Sequence, residues 1–290
     1  RLNYRPNAVA RGLASKRTTT VGVVIPSITN PYFAELALGI DDIASMYKYN
    51  IILANSDYDN DKILKVVRNL HAKQVDGIVF MGFDLSPELR AEFKSSSTPV
   101  VVAGSVVNDK ELPAVRIDYR KAAKEAVTRL LDHNHDHVAL VTSSLGYSIN
   151  ADDRLSGYKD ALADAGVDFD DQLVIETDGS YKQIYDQAKA IADSGVKAAY
   201  VTNDHLAVGL LNGLTDSGIK VPDDFEIISS NDTTYTRLCR PMLTSISQPL
   251  YDIGAVSMRL LTKLMEDKDD SESNVILEHS IIPRQSTRLQ

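Results

Sequence analysis

Residues 21–47 read VGVVIPSITNPYFAELALGIDDIASMY, and this stretch decides the fold class. Residues 21–26 are a short, near-continuous apolar run, the pattern of a strand buried on both faces. Residues 32–47 then change period: Phe33, Leu36, Ile40, Ile43 and Met46 recur three or four apart, as on one face of a helix. Asn30 and Pro31 supply a helix start. The alternation continues outward. Strands are expected at 51–54, 77–80 and 100–103, with helices at 61–73 and 87–94. A second set starts near Asp118, with helices at 121–132, 153–165, 183–194 and 206–216 and strands at 137–142, 173–176, 198–202 and 225–228. Gly166, Gly195 and Gly218 stand where three of these helices should end. Short strands separated by helices imply right-handed crossovers and parallel sheets, hence an α/β protein of two similar lobes.

The tail breaks the alternation. Residues 243–248 suit a strand or a crossing between lobes. Residues 250–267 suit a helix with Ile253, Val256, Leu260, Leu261 and Leu264 on one face, and 275–282 a final strand. Parallel sheets bind ligands beyond the carboxyl ends of their strands. Those ends carry Ser27, Asn30, Asn55, Asp57, Asn203, Asp204, Asn231 and Asp232. Such polar residues suit a sugar cleft, and they equally suit ordinary polar loops.

The chain has 290 residues, 43% of them hydrophobic and 24% charged. That excludes a disordered chain and fits one large or two mid-sized domains. No apolar run approaches the roughly 20 residues of a membrane-spanning helix. Cys239 is the sole cysteine, which excludes an internal disulfide framework and fits a reducing, cytoplasmic setting. The net charge is −9, yet residues 1–20 hold Arg1, Arg5, Arg11, Lys16 and Arg17 and no acid. A basic arm on an acidic body suits an anionic partner, or a solvated leader.

Residues 4–15, YRPNAVARGLAS, sharpen that choice. Pro6 and Asn7 can open a helix, but Ala8 to Ser15 make only about two turns, too few to be stable alone in water. Such a segment should fold on docking. Leu13 stands among small and basic residues, as a minor-groove wedge would, or as a linker leucine packed on a lobe would.

RPNAVARGLAS, TTTVGVVIPSITNPYFAEL, NIILANSD and QVDGIV resemble the LacI/GalR family of bacterial transcription regulators, and the likeness runs to the C-terminal PRQST. The resemblance implies two lobes of periplasmic-binding-protein type joined by three crossings, near 117–118, 248–250 and 277–278. The expected segments are a hinge at 1–19, a first lobe of 20–117 plus 250–277, and a second lobe of 118–249 plus 278–290. It implies a homodimer that binds operator DNA through a helix-turn-helix headpiece, which this sequence is expected to lack, and through a hinge helix. Tyr4, Asn7, Ala10, Leu13 and Ala14 map onto that hinge. RPMLTSISQPLYDIGAVSMRLLTK, with MYKYNIIL, resembles the branch serving carbon catabolite repression, whose corepressor is the phosphocarrier protein HPr phosphorylated on serine. Tyr251, Arg259 and Lys263 match its contact residues, with Asp252, Asp42 and Tyr47 expected beside them. Local physics agrees: Arg259 and Lys263 are four apart, so they share one side of a helix, and phosphoserine carries about −1.5 to −2 charge with three acceptor oxygens. A solvated face paired to Glu266 or Asp267 would have the same spacing.

Two departures bear on the cleft. Ser27 and Asn231 stand where family members commonly carry acids; Asp232 is adjacent and Arg154 matches a position that often faces the effector. An arginine opposite neutral groups suits a sugar phosphate as adjunct effector; no cofactor is otherwise expected. His133, His135 and His137 alternate and resemble a metal site, but a solvated turn is expected and no metal. No Walker loop, GxGxxG after the first strand, GxSxG or HExxH occurs, so no enzyme is expected. The alternatives are a family member controlled by a sugar or sugar phosphate in the cleft, and an extracytoplasmic sugar-binding protein. The latter leaves residues 4–15 unexplained.

Overall fold

The structure, a computed structural model, describes residues 17–82, 85–105, 112–133, 135–143, 150–266 and 274–288. The hinge positions Tyr4, Asn7, Ala10, Leu13 and Ala14 lie outside the described residues, as does Asp267. The chain divides into two compact units, one reaching Arg116 and resuming at Leu250–Leu277, the other Ile117–Pro249 with the segment from Glu278.

The first unit opens with β1 (Thr20–Ile25), α1 (Pro31–Met46), β2 (Asn50–Asn55), α2 (Asn60–Ala72), β3 (Gly77–Phe80), α3 (Pro87–Ser95), β4 (Val100–Ala103) and β5 (Ala114–Ile117). Strand β1 pairs in parallel with β2 and β3, and β4 joins β3 to β5. The β3 and β4 strands are buried at every position, as their continuous apolar runs require. Asn30 caps α1 by accepting from the Tyr32 N–H at 3.0 Å, and Pro31 occupies the first turn, where no N–H is needed.

The second unit repeats the plan with α4 (Tyr119–Asp132), β6 (Val138–Ser143), α5 (Ala151–Asp164), β7 (Val174–Thr177), α6 (Tyr181–Asp193), β8 (Ala198–Val201), α7 (Asp204–Asp216), β9 (Glu226–Ser229), α8 (Thr234–Leu238) and β10 (Thr244–Ser247). Gly166, Gly195 and Gly218 follow α5, α6 and α7 at φ +69°, +94° and +80°, the left-handed closures expected of them. The chain then returns to the first unit with α9 (Leu250–Met265) and β11 (Asn274–Leu277), and β12 (Ser280–Ile282) lies in the second. The strand orders are β2-β1-β3-β4-β5-β11 and β7-β6-β8-β9-β10-β12. In each, the order reverses beside the first strand, and loops there gather at the carboxyl ends.

Three expectations are corrected. The single strand at 275–282 is two strands in different sheets, because the chain passes between units at Leu277 and Glu278. Met46 is 70% exposed and leaves the apolar stripe, since the helix ends there and, among the described residues, no element covers its last turn. The histidine run is no solvated turn: His133 and His135 bracket the buried carboxylate of Glu226, each at 2.8 Å, and Arg288 adds its Nε at 2.9 Å. Burial alone would raise the Glu226 carboxyl; hydrogen bonds from His135, the Arg288 N–H and His133 outweigh it and hold the pKa at about 2. No group of three metal-ligating side chains exists among the described residues.

Candidate functional site

Helix α9 buries Leu250, Ile253, Met258, Leu260 and Leu261 against the first sheet and α1. Burial of each such side chain contributes about 1.5–3 kcal/mol. Two glycines let α1 and α9 touch backbone to backbone. A Cβ on Gly39 would run into the Tyr251 carbonyl, and one on Gly254 into that of Leu36. The opposite face of α9 carries Tyr251, Asp252, Arg259 and Lys263, all exposed.

That close crossing brings the aromatic of one helix to the acid of the other. The Tyr251 hydroxyl donates to Asp42 Oδ2 at 2.8 Å. This bond, with burial and the charges of Asp42 and Asp252, raises the phenol's pKa, while Arg259 lowers it. Asp42 and Tyr251 are therefore brought together, and Tyr47, 47% exposed, follows the end of α1. Arg259 has no ion-pair partner among the described residues, so its guanidinium is available to an incoming oxyanion. Leu38, Asp42 and Met46 are spaced i, i+4, i+8 and form one ridge. Leu38 is 56% exposed, so two apolar side chains flank the Tyr251–Asp42 bond. Sequence reasoning missed Leu38 and misplaced Met46; an apolar residue out of phase with the buried stripe is the signal that finds the former. At the far end of α9, Arg17 Nη2 donates to the Met265 carbonyl at 2.9 Å.

The expected cleft residues divide between units. Ser27 belongs to the first, where its hydroxyl lies 3.1 Å from that of Thr29. Arg154, Asn203, Asn231 and Asp232 belong to the second. Arg154, 7% exposed, lies over the Tyr119 ring at 5.2 Å, with Nη2 3.5 Å from Asn231 Oδ1. Gln248, which sequence reasoning did not single out, donates to Asn231 Oδ1 at 2.9 Å and to the Ser230 carbonyl at 2.7 Å. Asn203 caps α7 through the His205 N–H. The buried Asp204 takes hydrogen bonds from the Ser229 and Thr233 hydroxyls and from the N–H groups of Asn231 and Thr233. Asp232, adjacent to Asn231, is engaged within the second unit. Arg284 grips its carboxylate at 2.6 Å, and Thr236 donates to it.

Comparison with known proteins gives these features a context. Residues 18–284 match the family model described as periplasmic binding proteins and sugar binding domain of the LacI family. The chain is 55% identical to catabolite control protein A of Streptococcus mutans over 288 residues, 99% of this chain and 86% of that protein. It is 48% identical to catabolite control protein A of Priestia megaterium, covering 99% and 87%. The crystal structure of the transcription regulator CcpA of Lactococcus lactis superposes with TM-score 0.88 at 48% identity, over 94% of this chain and 100% of that one. The chain belongs to the LacI family of transcription regulators, on the branch concerned with carbon catabolite control.

Proposed function

We propose that the protein is a cytoplasmic homodimer whose corepressor is HPr phosphorylated on serine, docking on the α1–α9 face. The observation that carries this is the exposed Arg259–Lys263 pair on the same helix as the Tyr251–Asp42 bond. Arg259 can take a phosphoserine bidentately while Lys263 adds a point charge. Asp252 is placed for a basic residue of the partner, and Leu38, Met46 and Tyr47 supply apolar contact. Docking favours the state in which both hinge segments meet. Each then folds in the minor groove of a pseudo-palindromic operator, with Leu13 as the wedge, and the DNA contacts offset the ordering cost. In this scheme the protein binds and switches and catalyses nothing.

Calorimetric titration with HPr and with serine-phosphorylated HPr tests the proposal. Binding of the phosphorylated form alone, lost in Arg259→Ala, is the expected result. A folded protein that binds neither form overturns it. A second reading adds a sugar phosphate as adjunct effector at Arg154, because this buried cation lies beside the neutral amide of Asn231. Titration with a sugar phosphate, against Arg154→Gln, tests that addition: loss of a saturable signal in the variant supports it, and no signal in the parent removes it.

A further inference from the structure

Arg17 and Thr18 are neighbours in sequence, yet they are tied to different parts of the first unit. Arg17 Nη2 donates at 2.9 Å to the carbonyl of Met265, the last residue of α9. Carbonyls in the last turn of a helix have no intrahelical N–H to accept from, and the negative end of the helix favours a cation. Thr18 is held instead by the loop that leads into β3. Its N–H donates to Asp76 Oδ1 at 2.9 Å, and its hydroxyl to the Gln74 carbonyl at 2.9 Å. The Asp76 N–H in turn donates to the Thr20 carbonyl at 2.8 Å, which ties this loop to β1.

Thr19, between these ties and β1, has φ +50°. A β-branched residue is strained in the left-handed region, and the Asn50 N–H holds it there by donating to the Thr19 carbonyl at 2.8 Å. The last turn of α9 lies directly over β3, where Gly77 puts no side chain between them: a Cβ there would meet Leu261 and Met265. We propose that Arg17 is a positioning residue for the switch. Residue 17 follows α9 while residue 18 follows the sheet, so a shift of α9 on docking turns the chain between them and re-aims the segment before residue 17. This inference rests on the docking reading above and names the contact that carries it onward.

The test is residue-resolved hydrogen exchange of this chain with and without saturating serine-phosphorylated HPr, with calorimetry for affinity. The amides read are those of Thr18 and Asn50, whose bonds lie on either side of Thr19. Docking should change exchange at both by about threefold or more in the parent. Arg17→Ala should bind the partner within about twofold of the parent, yet lose most of that change. Arg17→Lys, which keeps a cation able to donate to a carbonyl, should restore about half of it or more. A residue that only props the fold would alter exchange equally with and without the partner. A parent that binds the partner with no change at Thr18 and Asn50, or an Arg17→Ala protein that keeps the full response, overturns this inference and leaves the docking reading standing. A folded parent that binds no phosphorylated HPr overturns both.

Discussion

The outer face of α9 and the strand ends of the second unit are both rich in polar groups, and they use them in opposite ways. On α9, Tyr251, Asp252, Arg259 and Lys263 face solvent, and Tyr251 is held by a hydrogen bond to Asp42. At the strand ends, Arg154, Asn231, Gln248 and Asp204 are buried and bonded to one another and to the backbone. A buried polar group left unpaired costs roughly 1–3 kcal/mol, so these groups are held by their partners. An exposed face has no such constraint and can wait for a partner. The lesson is that one chain can tie some polar groups into a buried framework while leaving others on a helix surface.

The sharpest way to break that comparison is Arg259→Ala. Hydrogen bonds to a charged group contribute about 1.5–3 kcal/mol, so affinity for serine-phosphorylated HPr should fall on the order of 100-fold in a titration, with thermal stability unchanged. A large loss of stability instead would show that α9's outer face is framework too.

Glu226 probes the interior side of the comparison through pH. Its folded pKa of about 2 is depressed from 4.5. A depressed carboxylate contributes stability that is fully present above the unfolded value and is lost as pH falls, here from about 4.5 down through about 2. The contribution is about 3 kcal/mol at neutral pH. Denaturant midpoints between pH 6 and pH 2.5 should show this loss, and Glu226→Gln should flatten it while leaving partner affinity intact. A Glu226→Gln protein with the parental pH profile would assign the acid lability elsewhere.

Gly254→Ala tests the crossing that presents the docking face. Its added Cβ meets the Leu36 backbone, and overpacking of this kind costs about 1–3 kcal/mol. The melting temperature should fall, and docking should weaken with it because Tyr251 and Asp42 are moved apart. Tyr251→Phe has the smallest expected effect. It deletes one exposed hydrogen bond and should reduce partner affinity a few-fold by titration without changing stability.

Much of this was legible in the residues. Runs such as 21–26 followed by the 3.6-residue period of 32–47 identify parallel sheets, because a doubly buried strand and an amphipathic helix leave different apolar spacings. The exposed cations of α9 were legible because they fall off its apolar stripe. What escaped were facts decided by distant neighbours. Met46 has the right period but is left exposed at the end of its helix. His133 and His135 look like a turn until Glu226, some ninety positions later, is folded between them. Gln248 lies within a quoted stretch but was not singled out, because its role follows only from β10 running beside β9.

The thrice-crossing chain also sets a timetable for synthesis. The sheet of β1 to β5 leaves the ribosome long before the helix that covers it, since α9 begins at Leu250, over 130 residues after β5 ends at Ile117. At about 5–20 residues per second that is a delay on the order of ten seconds. Throughout it, the apolar surface that Ile253, Met258 and Leu261 will cover stays open on a nascent chain, while the second unit's β6 to β10 emerge and can close in sequence. The newborn protein is thus exposed to chaperones and to aggregation on its first half, whose cover arrives only after most of the second half has emerged.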